Sequence, residues 1–291
     1  METVTAVAAL RARLDEARCA GRRVGVVPTM GALHEGHASL VRRAAADCDE
    51  VVVTVFVNPL QFAAGEDLGA YPRTPAEDAE LSARSGATVL FLPDEAEMYP
   101  DGRDGVLTSV AVPALAGVLE GASRPTHFAG VCVVVAKLFH AVGPCRAYFG
   151  EKDFQQLAII RRMVRDLSFP VEVVGCPTSR EPDGLARSSR NVYLDPDERA
   201  AAPVLHRALR EGRALIAAGE TDPAAVRAAM AAVVEASPSG ELDYVAVVDP
   251  LTLAPVERAE RACRLLGAVR FGRARLIDNI SADGSDGDRP G

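Results

Sequence analysis

Two histidines stand three residues apart in a glycine-bearing loop, Pro28-Thr29-Met30-Gly31-Ala32-Leu33-His34-Glu35-Gly36-His37. The loop follows the apolar run Val24 to Val27 and precedes a helix-like stretch, Ala38 to Ala46. Pro28 holds Val27 extended, as the end of a strand requires, and Gly31 and Gly36 let the backbone come close to a ligand. A helix beginning near Gly36 aims unpaired N–H groups and the positive end of its dipole back at the loop, with an imidazole on either side. Such a junction suits an anion, above all the phosphates of a nucleotide. Metal ligation is the competing reading of a histidine pair. The loop misses H-E-x-x-H by one residue, however, and Pro144-Cys145 lacks the second cysteine that a deaminase site needs. Imidazoles donating to phosphoryl oxygens fit the turn better.

Three further groups could share that chemistry. Phe149-Gly150-Glu151-Lys152-Asp153 lies at another strand-to-helix transition, the carboxyl edge where parallel sheets gather ligands. Lys152 there supplies a mobile point charge, and Asp153 can accept from ribose hydroxyls; a helix cap with a surface lysine is the alternative. Ser188-Ser189-Arg190-Asn191 follows the turn signal Asp183-Gly184 and offers two hydroxyls and a guanidinium to phosphate oxygens, or else is a polar linker. The amides of Asn58 and Gln61, within Phe56 to Phe62, and of Gln155 and Gln156 sit among apolar residues. Buried amides can read hydroxyls, since one left unpaired costs roughly 1 to 3 kcal/mol, or they can serve as caps and core.

These groups need a scaffold, and the chain supplies an α/β pattern. Val24 to Val27, Val51 to Val57, Thr88 to Leu92, Ala147 to Phe149 and Val171 to Val174 read as strands of a Rossmann-like parallel sheet. Ala38 to Ala46, Pro75 to Ser85, Val131 to Val142 and Phe154 to Leu167 read as helices, although Val131 to Val135 suits a strand on propensity alone. After about residue 178 come Ala-, Arg- and Glu-rich helices over 197–218 and 222–236, then β-like runs at Tyr244 to Val248, Arg264 to Phe271 and Arg275 to Asp278. The division expected is a nucleotide-binding domain over 1–178, a smaller α+β domain over 179–281 and a disordered tail over 282–291.

Composition narrows the function class. The 291 residues are 48% hydrophobic, enough for two cores, and the formal charge of −8 offers no field for nucleic acid or anionic lipid. The six cysteines show no C-x-x-C pair and read as buried thiols of a reducing cytoplasm. Met1 to Asp15 mixes acids and arginines among apolar residues, so neither a signal peptide nor a membrane span is expected, and the chain reads as cytoplasmic.

Taken jointly, the Pro28 to His37 loop, Phe56 to Phe62, Tyr71-Pro72-Arg73-Thr74, Pro125-Thr126-His127-Phe128-Ala129-Gly130, Gly150 to Leu157 and Ser188 to Asn191 closely resemble the pantothenate synthetase (pantoate–β-alanine ligase) family, from about residue 22 to Ile280. That family lies within the His-x-Gly-His nucleotidyltransferase superfamily. The resemblance implies a Rossmann-like domain with a smaller C-terminal one, a homodimer, and ATP with Mg²⁺. It implies condensation of pantoate with β-alanine through a pantoyl adenylate, releasing pyrophosphate and then AMP. The family's ATP positions fall on Met30, Gly31, Ala32, Leu33, His34, Glu35, Gly36, His37, Gly150, Glu151, Lys152, Asp153, Ser179, Arg187, Ser188, Ser189 and Arg190. Its pantoate amides fall on Gln61, also near β-alanine, and Gln156, and its proton donor on His37.

Two positions depart from the family pattern: Ser179 and Arg187 stand where apolar residues near the adenine are usual. Arg187 could stack on the base or swing away, while a backbone contact would survive. Two other functions compete. A nucleotidyltransferase acting on a phosphate ester would call for basic residues where Gln61 and Gln156 stand. A nucleotide-sensing or RNA-binding relative of tRNA synthetase cores sits poorly with the net acidity and the lack of aromatic stacking clusters.

Overall fold

In the computed structural model, which describes residues 1–62, 68–69 and 71–286, the apolar runs of the first two-thirds become one parallel sheet. Its strands are β1 (Glu2–Val4), β2 (Val24–Thr29), β3 (Glu50–Val55), β4 (Val89–Phe91), β5 (Cys145–Gly150) and β6 (Val171–Cys176). Their order is β1-β4-β3-β2-β5-β6, with every neighbouring pair parallel. β2, β3 and β4 step outward on one side and β5 and β6 on the other, so the order reverses between β2 and β5. Ligands of open α/β sheets bind at the carboxyl ends beside such a reversal. β2 ends at Thr29 and β5 at Gly150, each directly before a segment read as phosphate-binding. β1 was not expected; it has three residues, of which only Val4 is buried, too few to show an alternating pattern.

Helices Val7–Cys19, Glu35–Asp47, Pro75–Arg84, His127–Val142 and Phe154–Asp166 connect these strands. The Val-rich segment is helical: no turn signal interrupts residues 127–142, and burial on nearly every side removes the exposed face on which β-branched residues would favour a strand. One core of this unit gathers Val27, Leu40, Val41, Ala44, Val53 and Leu90 between the sheet and helix Glu35–Asp47.

Two compact units emerge, one of Met1–Gly150 with Gln155–Cys176, the other of Glu151–Phe154 with the chain from Pro177. In the second, helices Pro196–Ala201, Val204–Ala217 and Pro223–Glu235 accompany an antiparallel sheet of β7 (Glu241–Val248), β8 (Arg264–Phe271) and β9 (Ala274–Ser281), ordered β7-β8-β9. The single helix expected over 197–218 is two, parted at Ala202 and Pro203, because Pro203 has no N–H to continue the ladder. Leu205, Leu209, Val226, Met230, Leu265, Val269 and Phe271 form its core. Of the tail, residues 282–286 form turns in which Asp286 accepts from Ser281 N and Asp283 Oδ1 from Ser285 N. Residues 287–291 lie outside the described residues.

The cysteines are free thiols, but Cys19 is exposed and Cys145 only partly covered, against the expectation of uniform burial. Burial pushes the Cys132 thiol up to about 11, which keeps it inert. Among the described residues no helix is long and apolar enough to cross a membrane.

Candidate active site

The loop after β2 is set by its neighbours before any ligand arrives. Thr29 Oγ1 donates to Thr54 O across the sheet (2.6 Å) and accepts from Gly31 N (3.2 Å). Gly31 (φ 84°) and Ala32 (φ 50°) both take left-handed backbone, and a side chain on Gly31 would meet Asp78 Oδ2 at 2.9 Å. The buried Asp78 carboxylate compensates by accepting from Ala32 N (3.1 Å) and Leu33 N (2.7 Å).

His34 is the N-cap of helix Glu35–Asp47, and the two imidazoles complete a capping box. Gly36 N donates to His34 Nδ1 at 3.1 Å and His34 N donates to His37 Nδ1 at 3.3 Å, with the ring centroids 4.2 Å apart. A nitrogen that accepts carries no hydrogen, so each neutral ring bears its proton on Nε2. Backbone capping thus converts both histidines into Nε2–H donors at a helix N-terminus. Glu35 turns away to pair with Arg42.

The amides divide into two kinds. Asn58 and Gln155 are structural: Asn58 Nδ2 donates to Gly130 O (3.0 Å) while its Oδ1 accepts from Tyr99 (2.7 Å), and Gln155 Nε2 donates to Leu115 O and Val118 O (2.8 and 2.7 Å). Gln61 is different. Its Oε1 accepts from Asn58 and its Nε2 lies 2.7 Å from Met30 Sδ, contacts that use two of the amide's four hydrogen-bonding positions. Its carbonyl meets His127 Nδ1 (3.0 Å) and Arg124 Nη2 (3.4 Å), so its backbone is held as well. Gly130 permits this packing, since a Cβ there would fall 2.2 Å from Leu60 O. Gln156 is half-buried on helix Phe154–Asp166.

In the second unit, Glu151 to Asp153 form a single turn, with Lys152 Nζ 3.5 Å from Asp153 Oδ1 and its side chain only 17% exposed. The segment Ser179 to Arg187 folds back on itself. Arg187 N donates to Ser179 O (2.9 Å), Glu181 N to Leu185 O (2.8 Å), and Gly184 turns with φ 94° beside His206. Ser188 then caps the turn Ser189–Tyr193 by accepting from Arg190 N (3.3 Å). That role leaves its hydroxyl hydrogen for donation.

The pantoate-beta-alanine ligase family model matches residues 2–281. The chain belongs to the pantoate–β-alanine ligase family. It is 54% identical over 280 residues to pantothenate synthetase of Sinorhizobium medicae, covering 96% of this chain and 95% of that one. Pantothenate synthetase from Thermus thermophilus superposes with a TM-score of 0.90 at 51% identity, over 97% of this chain and 99% of that one. Pantoate-beta-alanine ligase from Francisella tularensis, solved with beta-gamma ATP and beta-alanine, superposes with a TM-score of 0.78 at 31% identity, over 98% and 99%.

Within this ligase fold the Arg187 departure has a physical account. Its guanidinium is engaged by Arg180 O (Nε, 3.2 Å) and by Glu181 Oε2 (Nη2, 3.3 Å), so the side chain ties the hairpin together. Ser179 contributes its carbonyl to the same hairpin.

Within each unit, residues that hold the candidate segments in place carried no sequence signal of that role. Asp78 looked like an ordinary acid in the first turn of helix Pro75–Arg84. Asp278 looked like the end of a strand, yet it is buried and binds Arg180 through both oxygens (2.6 and 3.1 Å), with His206 Nδ1 3.7 Å away. Arg180 also donates to Gly184 O (3.1 Å), so this pair anchors the loop that leads to Ser188.

Burial alone would raise the Asp278 carboxyl. The nearby His206 imidazole and the charge and hydrogen bonds of Arg180 outweigh it and hold the group below its ordinary value of 3.8. A carboxyl depressed on folding binds fewer protons folded than unfolded, so its stabilisation is complete above the ordinary value and is lost as pH falls below it. Urea midpoints are therefore expected to fall between about pH 5 and pH 2, and Asp278→Asn to flatten part of that limb. An unchanged acid limb in the variant would remove Asp278 from the account.

Proposed function

We propose that the chain is an ATP-dependent ligase that condenses pantoate with β-alanine through an enzyme-bound pantoyl adenylate, releasing pyrophosphate and then AMP. What carries the reading is the capping box of His34 and His37, which turns two imidazoles into Nε2–H donors at a helix N-terminus beside the sheet's reversal point. Family membership and the Francisella ligase solved with beta-gamma ATP and beta-alanine support the substrates. Gln61 and Gln156 suit a hydroxylated carboxylate better than a phosphate ester, because amides offer donors and acceptors without charge.

In the first step a pantoate carboxylate oxygen attacks the α-phosphorus and the bond to pyrophosphate breaks. That carboxylate is already ionised at neutral pH, so the obstacle is repulsion between anions. Met30 to His37 of the first unit, with Gly150, bind the nucleotide, and His34 and His37 donate to its phosphates. Lys152, Ser188, Ser189 and Arg190 offset phosphate charge, Glu151, Asp153, Ser179 and Arg187 contribute ribose or backbone contacts, and the Nε2–H of His37 donates a hydrogen bond to departing pyrophosphate rather than giving up its proton. Mg²⁺ would accompany ATP as part of the substrate. In the second step the β-alanine amine attacks the acyl carbon, AMP leaves, and a phosphate oxygen of AMP takes the amine proton. The enzyme is read as a homodimer, as the family resemblance implies, and as cytoplasmic, as its cysteine usage suggests.

The test is pyrophosphate release from ATP with and without pantoate, β-alanine withheld, with mass detection of the bound species. Release that needs pantoate, together with a mass for pantoyl adenylate, is the expected result. Release without pantoate points to another nucleotidyltransferase, and no release in the presence of pantoate and ATP points to a binding protein.

A further inference from the structure

We infer that Asn279 is a positioning residue for Lys152, an inference resting on the role just proposed for Lys152. Asn279 lies on β9 and is 2% exposed. Its amide is committed on both sides. Nδ2 donates to the carbonyl oxygens of Glu151 (2.9 Å) and Lys152 (2.8 Å), and Oδ1 accepts from Arg264 Nε (2.8 Å) and Nη2.

Those two carbonyls belong to the rigid peptide planes on either side of the Lys152 Cα. Holding both planes fixes φ and ψ of Lys152, and with them the direction in which its Cβ leaves the backbone. The lysine stem is flexible, so its base is where an ammonium can be aimed at low entropic cost.

Arg264 keeps the amide the right way round. A guanidinium only donates, so Oδ1 must face it, and Nδ2 is left facing the carbonyls. Arg264 is itself held by Asp286 Oδ1 (2.8 Å) and Glu151 Oε2 (3.3 Å), and it lies over the Phe154 ring at 4.2 Å. The same guanidinium therefore grips the residue before Lys152 and the ring two residues after it, while Asn279 holds the backbone between them.

The test is a double-mutant cycle on binding of a β,γ-methylene ATP analogue to the full chain, read by calorimetry. Asn279→Asp keeps the shape and the Arg264 contact but replaces two donors with an acceptor that faces carbonyls. It is expected to raise the analogue's Kd about tenfold and leave the KM for pantoate within about twofold. Lys152→Ala is expected to raise the Kd at least as much, and adding Asn279→Asp to it to change the Kd by less than about twofold, because no ammonium remains to be aimed. An undiminished effect in the Lys152→Ala background overturns the inference, as does a wild-type Kd for Asn279→Asp. If Lys152→Ala itself binds the analogue normally, the role of Lys152 fails and takes the inference with it. Should Asn279→Asp not fold, Asn279→Ser, which brings one donor and no charge, carries the same cycle.

Discussion

Replacing His37 by alanine is expected to slow pantoate-dependent pyrophosphate release about a hundredfold or more, and Lys152→Ala to do the same. The magnitude follows from what the groups meet. In the proposed mechanism charge grows on the oxygens of departing pyrophosphate, and losing one preorganised donor to such charge typically costs roughly 3 to 4 kcal/mol in the transition state. His37 also has a second role, because its Nδ1 accepts the His34 N–H in the capping box. Loss of a cap costs about 1 kcal/mol of stability, a few degrees in a melting curve. The two roles separate experimentally: a capping defect lowers the melting temperature, while loss of the Nε2–H donor lowers the rate of fully folded enzyme. Near-normal pyrophosphate release by either purified, folded variant would end its assignment to the triphosphate.

How far this site could be read from the chain depended on the range of the forces involved. The loop after β2 was legible because its causes are local: Pro28 acts on Val27, the glycines act on their own φ angles, and a helix start is announced within a few residues. Strand positions were legible too, since the apolar runs are buried on both faces. The supports of the site were not. Asp78 reaches Ala32 across 46 residues, Arg180 reaches Asp278 across 98, and Asn279 reaches Lys152 across 127. No local pattern distinguishes a first-turn aspartate that caps a helix from one that holds a distant loop. The amides show the same limit: Asn58 and Gln155 were as plausible for substrate as Gln61, and only the carbonyls they meet assign them to the scaffold.

Asp78 is accordingly where a substitution remote from any phosphate donor is expected to act most strongly. It is 1% exposed, accepts from Ala32 N and Leu33 N, and takes a further bond from Thr74 Oγ1 at 3.2 Å. Asp78→Asn leaves the side chain the same size but turns an –NH₂ toward at least one of the loop's N–H groups. One buried donor then goes unpaired, worth about 1 to 3 kcal/mol of stability. The loop has an easy way to relax, because Ala32 is held in left-handed backbone that a residue with a Cβ does not prefer. Relaxation moves His34, which begins two residues further on and whose ring sets the capping box with His37. A displacement of about 1 Å in a catalytic group can cost about a hundredfold, so kcat/KM for adenylate formation is expected to fall by that order. Asp78→Ala, which removes the carboxylate but leaves room for water to meet the two N–H groups, should lose less activity than Asp78→Asn. Steady-state kinetics beside a melting curve for each variant decide the matter: wild-type kcat/KM in a folded Asp78→Asn enzyme would mean that the loop keeps its shape without this carboxylate.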